Sequence, residues 1–344
     1  MNTNQHLLEF SSDFSSEKYK IFEISDDILK NLMENPNATL VIKGDSNKPS
    51  VLCTDDVTFS ITKVETSNEV ILLDKNELMG GLDCYYEVSQ IIPGDLDSLF
   101  SILSKSHYPK PKKGPSEKET KPQYYTTEEL LKKVQASRSE ILDALHRLDA
   151  FEVEGKWRMI DPKYFDELME LLLLTISENE SLVVFWDFIQ KELKQYDPIA
   201  LKHVLTILSE DGRVEPFHLD GQKIAIQRAR SILRSGPRWQ LIDFMETWTQ
   251  SLTSIPDFHP HISILTKHPL CVVDDKQIKL LERRLLSFDI KTRFKQMFSV
   301  KNKWSREEID CYIADIVKEK SDSVVDKHCR LIQSVTGAGS YYVT

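Results

Sequence analysis

The sequence predicts an α+β chain: an all-β segment over roughly the first hundred residues, then tandem helical units that each close with a β-hairpin. Three observations carry this. Short runs rich in Val, Ile and Thr crowd residues 19–92. A helix–helix–hairpin pattern fills Tyr124–Pro162 and returns about sixty residues later, measured from Leu148 to Leu208. Between the two blocks, residues 105–123 alternate proline with charge and are almost free of apolar side chains.

The first block is taken as 1–104. Residues 1–16, rich in Ser, Asn and Gln, read as a frayed end. KYKIFEI alternates, a helical turn is expected around Asp27–Met33, and TLVIKGD, SVLCT, TFSITKV and EVILLD follow as four strands, with Tyr85–Ile92 as a further one. Many short strands with turn signals between them predict a small barrel or sandwich. A hundred residues is short for a closed barrel. Two readings therefore stand: a partial barrel completed by strands from a partner, or a self-sufficient sheet with solvated edges.

The second block opens at 124–178. Thr126 with Glu129, and Ser137 with Glu140, are capping boxes that start two amphipathic helices. Leu130, Leu131 and Val134 mark the first apolar face, and Ile141, Leu142, Leu145 and Leu148 the second. The period then changes from helical to alternating. Phe151 and Val153 lead into Glu154-Gly155-Lys156, where glycine permits a positive φ, and Trp157 and Met159 return. Two helices and a tight hairpin outline a winged helix, here followed by a connector helix over Tyr164–Ile176.

A second winged helix is expected over 179–236. A helix spans Leu182–Leu193, and Asp197-Pro198 starts the next one, with Ile199, Val204, Leu205 and Leu208 inward. Val214, Phe217 and Leu219 then reach an Asp220-Gly221 hairpin turn, from which Ile224 and Ile226 return. A third, divergent unit covers 237–330. Trp239 to Leu252 forms an apolar helix face, ISIL and LCVV read as strands, and Asp274 or Asp275 caps a helix through Leu286. Ser305 with Glu308 is another capping box. Residues 331–344 read as a small, polar tail.

Charge is unevenly spread. Residues 1–100 hold 7 Lys/Arg against 18 Asp/Glu, a net of −11, whereas the remainder holds 37 against 36, a net of +1. The acidic block is unsuited to nucleic acid, and local basic clusters belong to the second block. The five cysteines are widely spaced with no C-x-x-C pair, which argues for reduced thiols and against a zinc ribbon. The N-terminus lacks a signal-peptide pattern and no run is apolar enough to span a membrane, so a soluble, intracellular protein is expected.

Catalytic signatures are missing. Neither phosphate-binding glycine motif occurs, and Gly80-Gly81 is too short to cradle a phosphate. His259, His261 and His268 lack a carboxylate or thiol at metal-ligand spacing. No enzyme activity, metal or cofactor is expected. The basic residues say more. Lys223, Arg228, Arg230, Arg234 and Arg238 lie in a stretch, Gly221–Ile242, without any acidic residue. Between Lys276 and Lys303 nine Lys/Arg face only Glu282 and Asp289; among them are Arg283, Arg284, Lys291, Arg293, Lys295, Lys301 and Lys303. Each cluster reads either as a solvated helix face or as a set of phosphate contacts to DNA. In the first winged helix Arg138, His146 and Arg147 are offset by Glu140, Asp143 and Asp149, a poor balance for a major groove. That module reads as a protein-docking one, with Arg138 and the wing residues Lys156, Trp157 and Arg158 as contacts. Lys110, Lys112 and Lys113 in the linker fit either a nuclear import signal or a solvated spacer.

Certain of these stretches resemble a known family. TLVIKGD with VLCT and TSN in the first block, YTTEELL…QAS…EI…L…L followed by G-x-WR at Tyr125–Arg158, and KWSREEIDCYIADI near the end are similar to the Dcc family. Its members are the sister-chromatid-cohesion subunits of the alternative clamp loader, a variant replication factor C. The likeness covers roughly residues 18–320. It implies a nuclear hetero-oligomer in which the β-domain is half of a composite barrel. The other strands come from the small chromosome-transmission-fidelity subunit and the C-terminal tail of the large one. It further implies three winged helices, the first docking on the catalytic subunit of DNA polymerase epsilon and the later ones meeting single- and double-stranded DNA. Catalysis would lie in other subunits. Two rivals remain: a tandem winged-helix scaffold of a sorting or degradation complex without DNA contact, and an enzyme with a pocket of convergent polar groups.

Overall fold

The computed structural model describes residues 7–35, 38–108, 122–177, 181–212, 215–236, 238–256, 258–317, 321–333 and 340–343. The import-signal lysines, most of the expected linker, Val214 and the first six residues lie outside them. The chain is mixed α+β and forms two units, Met1–Leu96 with Glu128–Asp143, and Asp97–Thr127 with Ala144–Thr344.

The first unit is built on one sheet, open among the described residues. Its strand order is Glu9–Phe10, Glu77–Gln90, Thr58–Asp74, Lys48–Cys53 and Val41–Asp45, with Phe22–Glu23 also pairing Glu77–Gln90. The helix Asp26–Glu34 buries Ile28 against Leu52 and Phe59. TFSITKV and EVILLD, expected as two strands, are one 17-residue strand, Thr58–Asp74. No glycine or proline breaks the chain between them. The register slips between Glu65 and Val70, and the Thr66 hydroxyl there reaches the carbonyls of Asn68 (2.7 Å) and Asp83 (3.0 Å). No closed barrel results.

The helical part of this unit is fastened to the sheet by polar contacts. The Ser137–Glu140 capping box forms as expected, with Glu140 N donating to Ser137 Oγ (3.2 Å) and Ser137 N to Glu140 Oε2 (3.0 Å). Thr58 is wholly buried; its Oγ1 accepts from Ser137 N (2.8 Å) and donates to Glu140 Oε2 (2.5 Å). Ser139 adds its amide to Asp55 O (3.0 Å) and its hydroxyl to Asp56 Oδ1 (2.7 Å), and Gln135 N donates to Asp95 Oδ2 (2.7 Å). Glu140, which spoils the charge balance for a groove-reading helix, is therefore a structural ligand of the sheet.

In the second unit one order of elements repeats: helix, short strand, helix, helix, hairpin. It runs through Pro162–Ser177, Val183–Val184, Trp186–Glu192 and Pro198–Leu208, and closes when Phe217–His218 pairs back on Val183–Val184. It runs again through Gly221–Arg234, Trp239–Gln240, Leu241–Gln250 and Ile262–Lys267 to the hairpin Cys271–Asp274/Gln277–Leu280, whose second strand takes Trp239–Gln240. It runs a third time from Ile290–Val300 through Arg306–Ile313 and Ser321–His328 to the hairpin Arg330–Gln333/Ser340–Val343, with Trp304 bridging Tyr342. Along the chain, Asp97–Ser104, Thr127–Lys133, Arg138–Arg147 and the hairpin Phe151–Val153/Lys156–Arg158 follow the same order. Glu154 (φ 54°) and Gly155 (φ 73°) make that last turn, as the sequence requires.

The repeat corrects several expectations. Asp220-Gly221 is no hairpin turn: the Asp220 carboxylate accepts from Gln222 N and Lys223 N and caps the helix Gly221–Arg234, which buries Ile224. The same Asp-Gly pair serves either purpose, and the 3.6-residue spacing of Ile224, Ala225, Ala229 and Leu233 decides for the helix. The helix expected over Leu182–Leu193 begins only at Trp186, because Val183–Val184 is a strand. ISIL lies in the helix Ile262–Lys267, capped by His261. Asp274 and Asp275 turn a hairpin, with Asp275 at φ 56°, and the helix that follows is capped instead by Asp289. In the expected polar tail Arg330–Gln333 pairs with Ser340–Val343, and Tyr342 is buried. Tyr164–Ile176, expected as a connector, is the first helix of a repeat and packs Leu168, Met169 and Leu172 into the larger core.

Candidate functional site

In the first unit the notable surface is an unpaired sheet edge. Among the described residues Val41–Asp45 is bonded on one side only, to Lys48–Cys53. Adjacent strand residues point to opposite faces, yet Val41 and Ile42 are 47 % and 56 % exposed, so both faces are uncovered there. Farther along the long hairpin, Phe10, Leu78 and Leu73 stand side by side across three strands, and Phe10, Ile71 and Leu73 are exposed.

In the second unit most of the basic residues singled out by sequence are engaged in ion pairs. Glu282 is 3 % exposed at its side chain and collects Arg284 Nε (2.7 Å), Arg230 Nε (2.9 Å) and Arg234 Nη2 (3.7 Å). Burial alone would raise its pKa, but the three guanidiniums outweigh burial and hold it below the usual carboxylate range. Arg284 also pairs with Asp149, whose carbonyl meets His203 Nε2 (3.0 Å). Arg230 is buried, which pushes its pKa down to about 10; its Nε–H lies close to Glu282 without the alignment of a hydrogen bond. Arg228 pairs with Glu170.

A second carboxylate, Asp315, organises the other cluster. Arg293, fully buried, grips it with both terminal nitrogens and donates Nε–H to Ser287 O (2.6 Å). Arg147 Nη1 approaches Asp315 at 2.6 Å while its guanidinium lies 4.0 Å from the Phe288 ring. Arg283 stands 4.0 Å from the same carboxylate and donates to Cys311 O (2.7 Å). Lys301 pairs with Glu308 at 2.5 Å. Arg238, Lys291, Lys295 and Lys303, also expected as DNA contacts, are exposed. Lys291 and Lys295 lie four residues apart on the helix Ile290–Val300, which buries Arg293, Phe294, Met297 and Phe298.

The expected docking residues divide likewise. Arg138 is exposed and pairs with Glu128 (2.8 Å), and Lys156 is exposed at the wing turn. Trp157 is 7 % exposed and donates its indole N–H to Thr127 Oγ1 (2.9 Å), so it is a core residue. Arg158 stacks 4.1 Å from the Tyr124 ring centroid and 5.5 Å from that of Tyr108.

Sequence reasoning missed Asp315 and the role of Glu282. The signal was out of reach, since their arginines lie between 2 and 168 residues away along the chain. Among the described residues no group of three His, Cys, Asp or Glu is placed to hold a metal ion, and no helix is long and apolar enough to cross a membrane.

Comparison with known proteins gives the family. The family model described as sister chromatid cohesion protein Dcc1 matches residues 19–313. The sister chromatid cohesion protein DCC1 of Xenopus laevis is 30% identical over 357 residues, covering 93% of this chain and 87% of the relative. The Homo sapiens protein of that name is 29% identical, covering 82% and 77%, and the probable sister chromatid cohesion protein DCC1 of Dictyostelium discoideum is 24% identical, covering 90% and 89%. The chain belongs to the sister chromatid cohesion protein Dcc1 family.

Proposed function

We propose that this family member is a non-catalytic, nuclear subunit of the alternative clamp loader. In this reading its open sheet is completed by strands from the large and small chromosome-transmission-fidelity subunits. Its repeated helix–strand–helix–helix–hairpin units are winged helices. They start at Asp97, Pro162, Gly221 and Ile290, one more than the sequence pattern counts. The first docks on the catalytic subunit of DNA polymerase epsilon through the surface of Arg138 and Lys156, and DNA phosphates meet Arg238, Lys291, Lys295 and Lys303.

The observation that supports the reading is the edge strand Val41–Asp45, which exposes the apolar Val41 and Ile42 on its two faces. Such an edge invites unwanted pairing unless another chain covers it. Adding a strand satisfies its backbone groups and buries Val41 and Ile42 together. The test is co-expression of the full chain with both clamp-loader subunits. A stable three-chain complex that is lost on Ile42→Asp supports the reading, and a monodisperse monomer indifferent to both subunits refutes it.

A second reading, a winged-helix scaffold without DNA contact, is favoured by one fact. Arg230, Arg284 and Arg293 are committed to internal carboxylates. Binding of single- and double-stranded DNA across a salt series separates the two, because phosphate contacts must weaken as salt rises.

A further inference from the structure

We propose that the second unit carries a docking groove for an acidic linear peptide with an apolar anchor residue, a site that stands independently of the clamp-loader reading. The groove encloses about 710 Å³, room for several side chains. Its floor is aliphatic, made by Ile207, Ile226, Pro269 and Leu270. Four separate segments build it, within 146–157, 203–207, 223–230 and 268–284, and the ion pairs of Arg230 with Glu282 and of Arg284 with Asp149 tie three of them together. A groove so braced binds with little reorganisation.

Charge selects the occupant. Five cationic side chains line the groove against three acidic ones, in a chain whose net charge is −10. The excess concentrates on one wall, where Arg147, Arg283 and the buried Arg293 converge on Asp315, and Asp97 is the other carboxylate within electrostatic reach of Arg147. Two carboxylates among three guanidiniums leave a positive surplus that an incoming Asp or Glu would neutralise. Nucleic acid fits less well, because unpaired bases need an open aromatic face. Phe151 is already stacked on His203, centroids 4.1 Å apart, and Trp157 is buried. The floor matches a Leu, Met or Phe side chain instead.

The experiment pans a random linear peptide library against the immobilised full chain and measures recovered peptides by fluorescence anisotropy. The expected result is enrichment of acidic sequences carrying one large apolar residue. Their affinity should fall at least tenfold with Ile226→Glu in the floor or His268→Glu at the exposed rim. It should be unchanged with Ile242→Glu, which lies outside the groove. Since Ile226→Glu carries a risk to folding, His268→Glu decides the matter if the thermal melt of the first variant shifts. No enrichment, enrichment of basic or uncharged peptides, or binding indifferent to His268→Glu overturns the proposal. So does displacement of the peptide by an oligothymidylate, which would assign the groove to nucleic acid.

Discussion

Thr58 and Glu140 stand 82 positions apart in sequence and share a 2.5 Å hydrogen bond that joins the β-sheet to the first turn of the helix Arg138–Arg147. Thr58 Oγ1 at the same time accepts from Ser137 N, so one buried hydroxyl completes a capping box from outside the helix. Residues 128–143 accordingly belong with the sheet, although the chain reaches them only after the stretch read as a linker.

Glu140→Ala should therefore destabilise the chain by about 2 kcal/mol, the cost of orphaning buried donors together with a missing cap. Thr58→Val should cost a similar amount. The double variant should fall well short of the sum, because both changes break one network. Urea denaturation of the three variants measures this, and strict additivity would show that the two residues act separately.

Glu282→Ala should be far more harmful, about 3–5 kcal/mol, because it leaves Arg230, Arg234 and Arg284 without their shared buried partner. Thermal melting of the full chain reports it.

His203 gives a pH signature. Burial, the largest cause, pushes its pKa below the usual histidine range, against the hydrogen bond to Asp149 O that works the other way. A depressed folded value means the stabilisation is complete above the unfolded value, about 6.5, and is lost as pH falls below it. The melting temperature should fall as pH drops below about 6.5. His203→Gln should flatten that limb, and an unchanged pH profile would remove His203 as its source.

Lys291→Glu with Lys295→Glu should weaken DNA binding without shifting the melt, and reduce the salt slope by about 0.9 for each phosphate no longer neutralised. Arg293→Glu, by contrast, should prevent folding, since it sets a buried carboxylate against Asp315. Equal effects of the two kinds of variant on DNA binding at constant stability would contradict this division.

At the sheet edge, Val41→Lys with Ile42→Asp should leave the melt of the isolated chain within about 0.5 kcal/mol, as expected for exposed positions. The same pair should abolish association with the subunits that complete the sheet. Size-exclusion chromatography of the co-expressed mixture distinguishes the two effects.

By itself the sequence determined what is local. Apolar spacing and caps located the helices Pro162–Ser177, Pro198–Leu208 and Arg306–Ile313, and Glu154-Gly155 specified its hairpin turn, because these signals act between residues a few positions apart. The same local grammar left Asp220-Gly221 ambiguous between turn and cap, and it could not see that the residues following Arg330 form a strand pair. What only the tertiary structure decided is which charges face water. Arg230, Arg284 and Arg293 look like Lys291 and Lys295 in a string of letters. Folding brings Glu282, Asp149 and Asp315 against the first three and none of these against the last two. The interaction of two charges depends on their separation in space and on the water excluded between them, and neither quantity is written in their separation along the chain.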